Sequence, residues 1–395
     1  MNKKLILLCI TLIFISCIYV GVKISDKASN PNFSKASGLE IKNPGQNTQY
    51  PEDRELKTLN KGNDRSAYYK KEVILELSYG KEEHNLGIEK RKTDAGEVYD
   101  VPQAMDIDKD GNIYMADPVN KAVKVYSKEG KYLNKIEFNN NDLLKDFGID
   151  SLGNIYVIGE KKLYKKNFDE NLFTDMVSDL NEPHEVFVSW SGNVSVLDYS
   201  GLSDNNLRVQ KFDSKGKLMK KDLNVNDYSM YEYEDLKGNT INFSKMEGND
   251  FSPQYKLSKN IISHEDKQEF IYSPHLPNGY FFTQLEFIGC DNKDNIYMVR
   301  SIAPDSEDSV EAYEREETWI DILDLKAGEI NSVKIEKRKD YGGIYGTNHM
   351  YKVDKEGNIF QMQADTDKVK IIKYSIGIIG TSQVYLQNSF SILPF

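Results

Sequence analysis

The sequence predicts an all-β protein: a six-bladed β-propeller of four-stranded antiparallel blades, preceded by an N-terminal membrane anchor and a flexible stalk. Three observations lead there. One turn motif recurs six times, apolar and polar residues alternate on both sides of it, and an apolar segment with a basic start opens the chain. Alternation around a tight Asp/Gly/Asn turn defines short antiparallel strands. Repetition at a spacing of a few tens of residues is the mark of a propeller or a solenoid.

The opening segment, residues 1–24, reads as an address. Lys3 and Lys4 precede an apolar run over positions 5–22, close to the shortest that crosses a bilayer core. Within it Phe14, Ile15, Ser16 and Cys17 resemble a bacterial lipobox, which implies that Cys17 becomes a lipidated N-terminus whose acyl chains hold the protein to the membrane. An uncleaved signal anchor is the alternative. In both cases the basic end stays inside, so the remainder lies outside the cytoplasm. Residues 25–70 are polar, carry Pro31, Pro44 and Pro51, and show no sustained period. They read as a flexible stalk.

Residues 71–395 hold the blades. The clearest copy runs through Met105 and Ile107 to the turn Asp108, Gly111 and Asn112, then resumes at Ile113 and Met115. The turn position recurs at Gly111, Gly153, Gly192, Gly238, Asp294 and Gly357, at spacings of 42, 39, 46, 56 and 63, so the later blades carry longer insertions. Such a reversal needs a positive φ, which favours Gly, and an Asp at its start accepts bonds from the turn's own amides. These aspartates therefore read as structural rather than as calcium ligands, which would have to converge on one point. The sixth blade is one strand short. Residues 73–79 supply it by pairing the two ends of the domain, with the tail 376–395 as a competitor, and closure leaves no free sheet edge.

Composition limits the functions available. There are 62 acidic against 51 basic side chains, for a net charge of −11, which disfavours nucleic acid as a partner. Of Cys9, Cys17 and Cys290 only the last falls in the folded part, so no internal disulfide framework exists. No His-Glu-x-x-His, phosphate-binding Gly loop or Gly-x-Ser-x-Gly elbow occurs, which excludes hydrolases that depend on those signatures.

The stretch from Pro102 to Tyr126 resembles an NHL repeat, as in the six-bladed propellers of bacterial surface lipoproteins and related enzymes. The resemblance implies a central channel lined by the innermost strand of each blade. Eight residues before each turn position stand Gln103, Lys145, His184, Met230, Glu286 and His349, which are the candidate binding residues at the channel mouth. In the NHL-like lyase that completes peptide α-amidation, histidines from separate blades surround a metal. By that resemblance His184, Glu286 and His349 would be ligands, and two imidazoles with a carboxylate suit zinc or iron. The plainer reading is a polar rim around a water-filled channel. His275 and His264 read as surface residues, and the acid-rich insertion 305–317 is a second candidate contact, for a basic peptide or a cell-wall amine. The reading that follows is a non-catalytic, membrane-attached binding or scaffolding module for a surface protein, peptide or glycan. The alternative is a metal-dependent lyase or hydrolase with its site at the channel.

Overall fold

The recurring turn forms as its chemistry dictates. Asp108 accepts the amides of Asp110 and Asn112 on Oδ1 at 2.8 and 2.9 Å, and the Asn112 side chain on Oδ2 at 2.8 Å. Asp150, Asp235, Asp291 and Asp354 repeat the pattern. In blade three the hydroxyl of Ser189 replaces the carboxylate and accepts Asn193 N at 2.9 Å. All six turn positions have positive φ, including the non-glycine Asp294 at 71°. These carboxylates are thus taken up by their own turns.

The computed structural model describes residues 57–58, 60–61, 67–93, 96–102, 104–199, 207–223, 232–246, 253–261, 263, 266–306, 309–337 and 349–378. Cys17, the leader, most of the stalk, Gln103, Met230, His264 and the tail from 379 lie outside them.

Six four-stranded antiparallel blades follow in order. Their innermost strands are Met105–Ile107, Asp146–Ile149, Pro183–Val188, Glu232–Glu234, Tyr280–Cys290 and Tyr351–Val353. The apolar core sits between blades, because each twisted sheet presents both faces to its neighbours. One cluster joins blades five, six and one through Val299, Tyr351, Met362 and Met105. Another joins blades three to five through Leu197, Tyr233, Leu257 and Met298. The buried pair Arg300 Nε to Asp321 Oδ2 at 2.7 Å lies within blade five, and the Tyr272 hydroxyl of blade four donates to the same carboxylate at 2.8 Å.

Closure is antiparallel, between Ala67–Ser78 and Lys368–Ile378. The inner ring closes as well, where Met105 N donates to His349 O at 3.1 Å. The regular structure starts earlier than a stalk ending at residue 70 allows. Lys57–Thr58 adds in parallel to the outer strand of blade four, Asp266–Tyr272, and Asn60–Lys61 adds to that of blade five, Glu329–Ile335. The open backbone groups of an edge strand accept such a segment whatever its side chains. The acid-rich insertion of blade five contains a short helix, Ser309–Glu314.

Candidate functional site

The six inner strands converge on the hub, and local irregularities decide which side chains enter it. In blade three the ladder slips between Pro183 and Glu185. The slip skips His184 in the ladder, while Glu185 pairs with Leu197 in the register that Asp146 keeps with Ile158, so Glu185 takes the slot of Asp146 and His184 falls on the other face of the alternating strand. His184 is half exposed, packs edge-on against Tyr199 at 4.5 Å between centroids, and lies 3.7 Å from Glu182. Burial and the nearby Lys145 hold its pKa below the usual imidazole value, with Glu182 opposing. Lys145 Nζ reaches Pro183 O at 3.4 Å. In blade five the slip between Phe287 and Gly289 carries Glu286 into the hub, opposite Val299 as Asp146 is opposite Ile158.

His349 is buried at the meeting point. Its Nε2 lies 3.0 Å from Asp146 Oδ2 and 3.1 Å from Val186 O, and its Nδ1 is 3.8 Å from Glu286 Oε1. Two oxygens facing Nε2 require that nitrogen to carry its proton, because neither can donate. Burial works against the imidazolium, but the charge and hydrogen bond of Asp146, joined by Glu286, outweigh it and raise the pKa to about 10. Glu185 belongs to the same field. Burial lifts its carboxyl to about 7, with His349 pulling down and Asp146 and Glu286 pushing up. Asp146 also accepts Val186 N at 2.8 Å, and Asp106 accepts Ile149 N at 2.9 Å. Each aspartate thereby ties its blade to the next.

The channel residues chosen from the sequence therefore separate into two pairs. Glu286 and His349 meet in the hub, and Lys145 and His184 meet at the rim between blades two and three. His184 does not join the other two. Among the described residues no three His, Cys, Asp or Glu side chains gather as a metal site. With Nε2 of His349 already donating its proton, the arrangement does not fit the zinc or iron set of His184, Glu286 and His349. Asp106 and Tyr233 stand five residues, and Asp146 and Glu185 seven residues, before their turn positions, so an offset of eight selects the opposite face of an alternating strand and misses them; a run of acidic residues at neighbouring offsets is the signal for Asp106, Asp146 and Glu185.

A cavity of about 130 Å³ occupies the end of the hub where the inner strands enter their turns. Asp106, Glu232, Glu234 and Glu286 face it, against Lys211 and Lys352. Lys211 is held between Glu232 at 3.2 Å and Glu234 at 3.6 Å, and Lys352 lies 3.5 Å from Asp106. Glu286 has Gln284 at 2.9 Å and only a share of His349. Phe187, Trp190, Tyr233 and Phe287 supply aromatic wall, with Tyr233 and Phe287 stacked at 4.2 Å and Phe187 edge-on to His349 at 5.0 Å. Burial, then Glu286 and Glu185, push the Tyr233 phenol well up, so it stays neutral. Cys290 also lines the cavity, and burial, with Asp235 adding to it, pushes its thiol up. A thiol held protonated is a poor nucleophile.

The chain is thus a six-bladed propeller with an acidic, aromatic cavity at one end of its hub. No family model matches it, and no curated protein matches it. Among solved structures it is similar to a virginiamycin B lyase from Staphylococcus aureus, at 12% identity over 77% of this chain and 99% of that one, with a TM-score of 0.41. It is similar to a gluconolactonase from Xanthomonas campestris, at 9% identity over 78% and 90%, TM-score 0.42. It is also similar to a protein from Bacteroides fragilis described as exported, at 11% identity over 82% and 99%, TM-score 0.44. At these values the likeness does not extend to function.

Proposed function

We propose that this protein is a non-catalytic binding module, held outside the cytoplasm by its N-terminal segment, whose hub cavity takes a cationic group of a surface protein, peptide or glycan. The cavity carries the reading. Four carboxylates face two ammonium groups across aromatic walls, a combination that favours an amine or guanidinium through both charge and cation–π attraction. Its size is also apt, since an engineered cavity of roughly 150 Å³ admits benzene. Glu286 is the carboxylate least neutralised by lysine and is the residue expected to meet the guest.

The test is a titration of the full-length chain carrying Trp319→Phe, so that Trp190 reports alone, with Nα-acetyl-lysine amide and with an uncharged analogue of the same shape. Saturable change with the cation only, weakened about tenfold by Glu286→Gln, is the expected result. Equal response to the uncharged analogue, or no saturation, would contradict it. Membrane attachment through Cys17 predicts an N-terminal fragment whose mass includes a diacylglyceryl group; an unmodified, uncleaved leader would favour the signal anchor.

A second reading, a lyase or hydrolase at the channel, draws on Glu185. A carboxyl titrating near 7 beside an imidazolium is poised to exchange protons. It predicts turnover that Glu185→Gln abolishes while guest binding persists.

A further inference from the structure

Three large apolar side chains stand out from the turn end of blade two. Leu152 and Phe168 are each 71% exposed and Leu172 is 62% exposed. Leu152 belongs to the turn between the first and second strands, and Phe168 and Leu172 to the turn between the third and fourth. In an antiparallel blade these two turns share one end, so the three side chains belong to the same face. Phe168 is fixed there, because its N–H donates to Asn154 Oδ1 at 3.0 Å and its ring covers Gly153, where a Cβ would stand 2.9 Å from Cδ2. Rigid, solvated aromatic and aliphatic groups held together cost free energy that a partner recovers by covering them.

This patch continues into the hub cavity. Ser151 N donates to Trp190 O at 3.2 Å, joining the turns of blades two and three, and Ile149 and Trp190 both line the cavity. Beside the patch acids outnumber bases, with Lys166 partly buried, donating to Asn167 O at 3.2 Å and set in the field of Glu170 and Asp169; Lys215 and Lys217 are exposed on the neighbouring turn of blade three. Asp169 and Glu170 lie between Phe168 and Leu172 in the sequence, both exposed, while Lys165 is turned onto the Tyr156 ring and donates to Ser214 O at 2.9 Å. An acidic cavity, an apolar patch and an acidic border, in a chain of net charge −11, complement a basic and apolar polypeptide and repel an anionic bilayer.

We propose that the turn face of blades two and three docks an extended segment of another protein, whose apolar side chains cover Leu152, Phe168 and Leu172 while a Lys or Arg enters the hub cavity past Trp190. This rests on the cationic-guest reading of that cavity and names the guest as part of a peptide. Two anchors joined by a short backbone bind more tightly than either alone, because the second association becomes intramolecular.

The experiment uses the full-length chain in zwitterionic nanodiscs and measures anisotropy of labelled, acetylated and amidated peptides. Each carries one Lys and a Phe-Leu pair at varied separation, beside a matched series with Ser-Ser and Nα-acetyl-lysine amide alone. At least one Phe-Leu peptide is expected to bind about tenfold more tightly than its Ser-Ser partner. That gain should vanish in the double variant Leu152→Ser, Phe168→Ser, and all peptide binding should weaken in Glu286→Gln. Binding of the lysine amide with no gain from any Phe-Leu peptide would overturn the docking surface and leave the cavity reading intact. Failure of every probe overturns both. Quenching of Trp190 by brominated lipid in the chain carrying Trp319→Phe, with no peptide gain, would assign the patch to the bilayer and overturn the proposal.

Discussion

A chain that begins after Ser78 is expected not to fold cooperatively. It lacks the strand Ala67–Ser78 that completes blade six, and with it Leu75 and Leu77, which are buried against Val369, Ile371 and Met362 in the cluster joining blades five, six and one. Each leucine contributes about 2–5 kcal/mol by its burial. Added to the lost ladder bonds, the total reaches the about 5–15 kcal/mol that holds a typical domain folded. The exposed edge of Lys368–Ile378 would then invite aggregation. Calorimetry should show no sharp transition for the truncated chain, whereas the full chain with Leu75→Ala and Leu77→Ala should still melt cooperatively at a clearly lower temperature. An unchanged melting temperature in both would mean that the closing strand has been misassigned.

Replacing His349 with Leu is the point change expected to cost most. It removes the cation from among Asp146, Glu185 and Glu286 and leaves Asp146 buried without a counter-charge. Breaking a buried pair from one side costs about 3–5 kcal/mol. The pH dependence carries a definite sign. The imidazole rises from its ordinary 6.5 to about 10 on folding, so its contribution is complete below pH 6.5 and lost as pH climbs toward 10. The carboxyl of Glu185 rises from 4.5 to about 7, so its contribution is complete below 4.5 and lost by about pH 7. Both slopes run the same way: the folded hub weakens as pH rises. Thermal melts should fall between pH 6.5 and 10, and in His349→Leu that part of the slope should flatten. A wild-type curve that rises over this interval would contradict the charge assignment.

The wheel was legible because its determinants are local. An Asp or Ser, a residue with positive φ and an Asn fix each turn within five residues, and even Asp294, standing where the other copies have Gly, keeps the geometry. The closing strand was legible for a related reason, since an alternating run such as Val73 to Tyr79 has one place left to pair. The site was half legible. The offset of eight brings Glu286 and His349 together in the hub but puts His184 on the face opposite Glu185, because that offset fits blade five only through the slip between Phe287 and Gly289, which no local pattern records. The segments Lys57–Thr58 and Asn60–Lys61 read as stalk for the same kind of reason: a parallel strand added to an existing edge uses backbone bonds and leaves no period in its side chains.

The most direct measurement is the titration of His349 itself, by nitrogen NMR on protein labelled at its histidines and assigned with His349→Gln. An imidazolium that stays doubly protonated through pH 8, and whose Nε2 resonance shifts in Asp146→Asn, is the predicted result. It requires blade six to reach across the hub to blades two and three. A ring that loses its proton near 6.5, or one indifferent to Asp146→Asn, would contradict both the hub and the cavity built beside it.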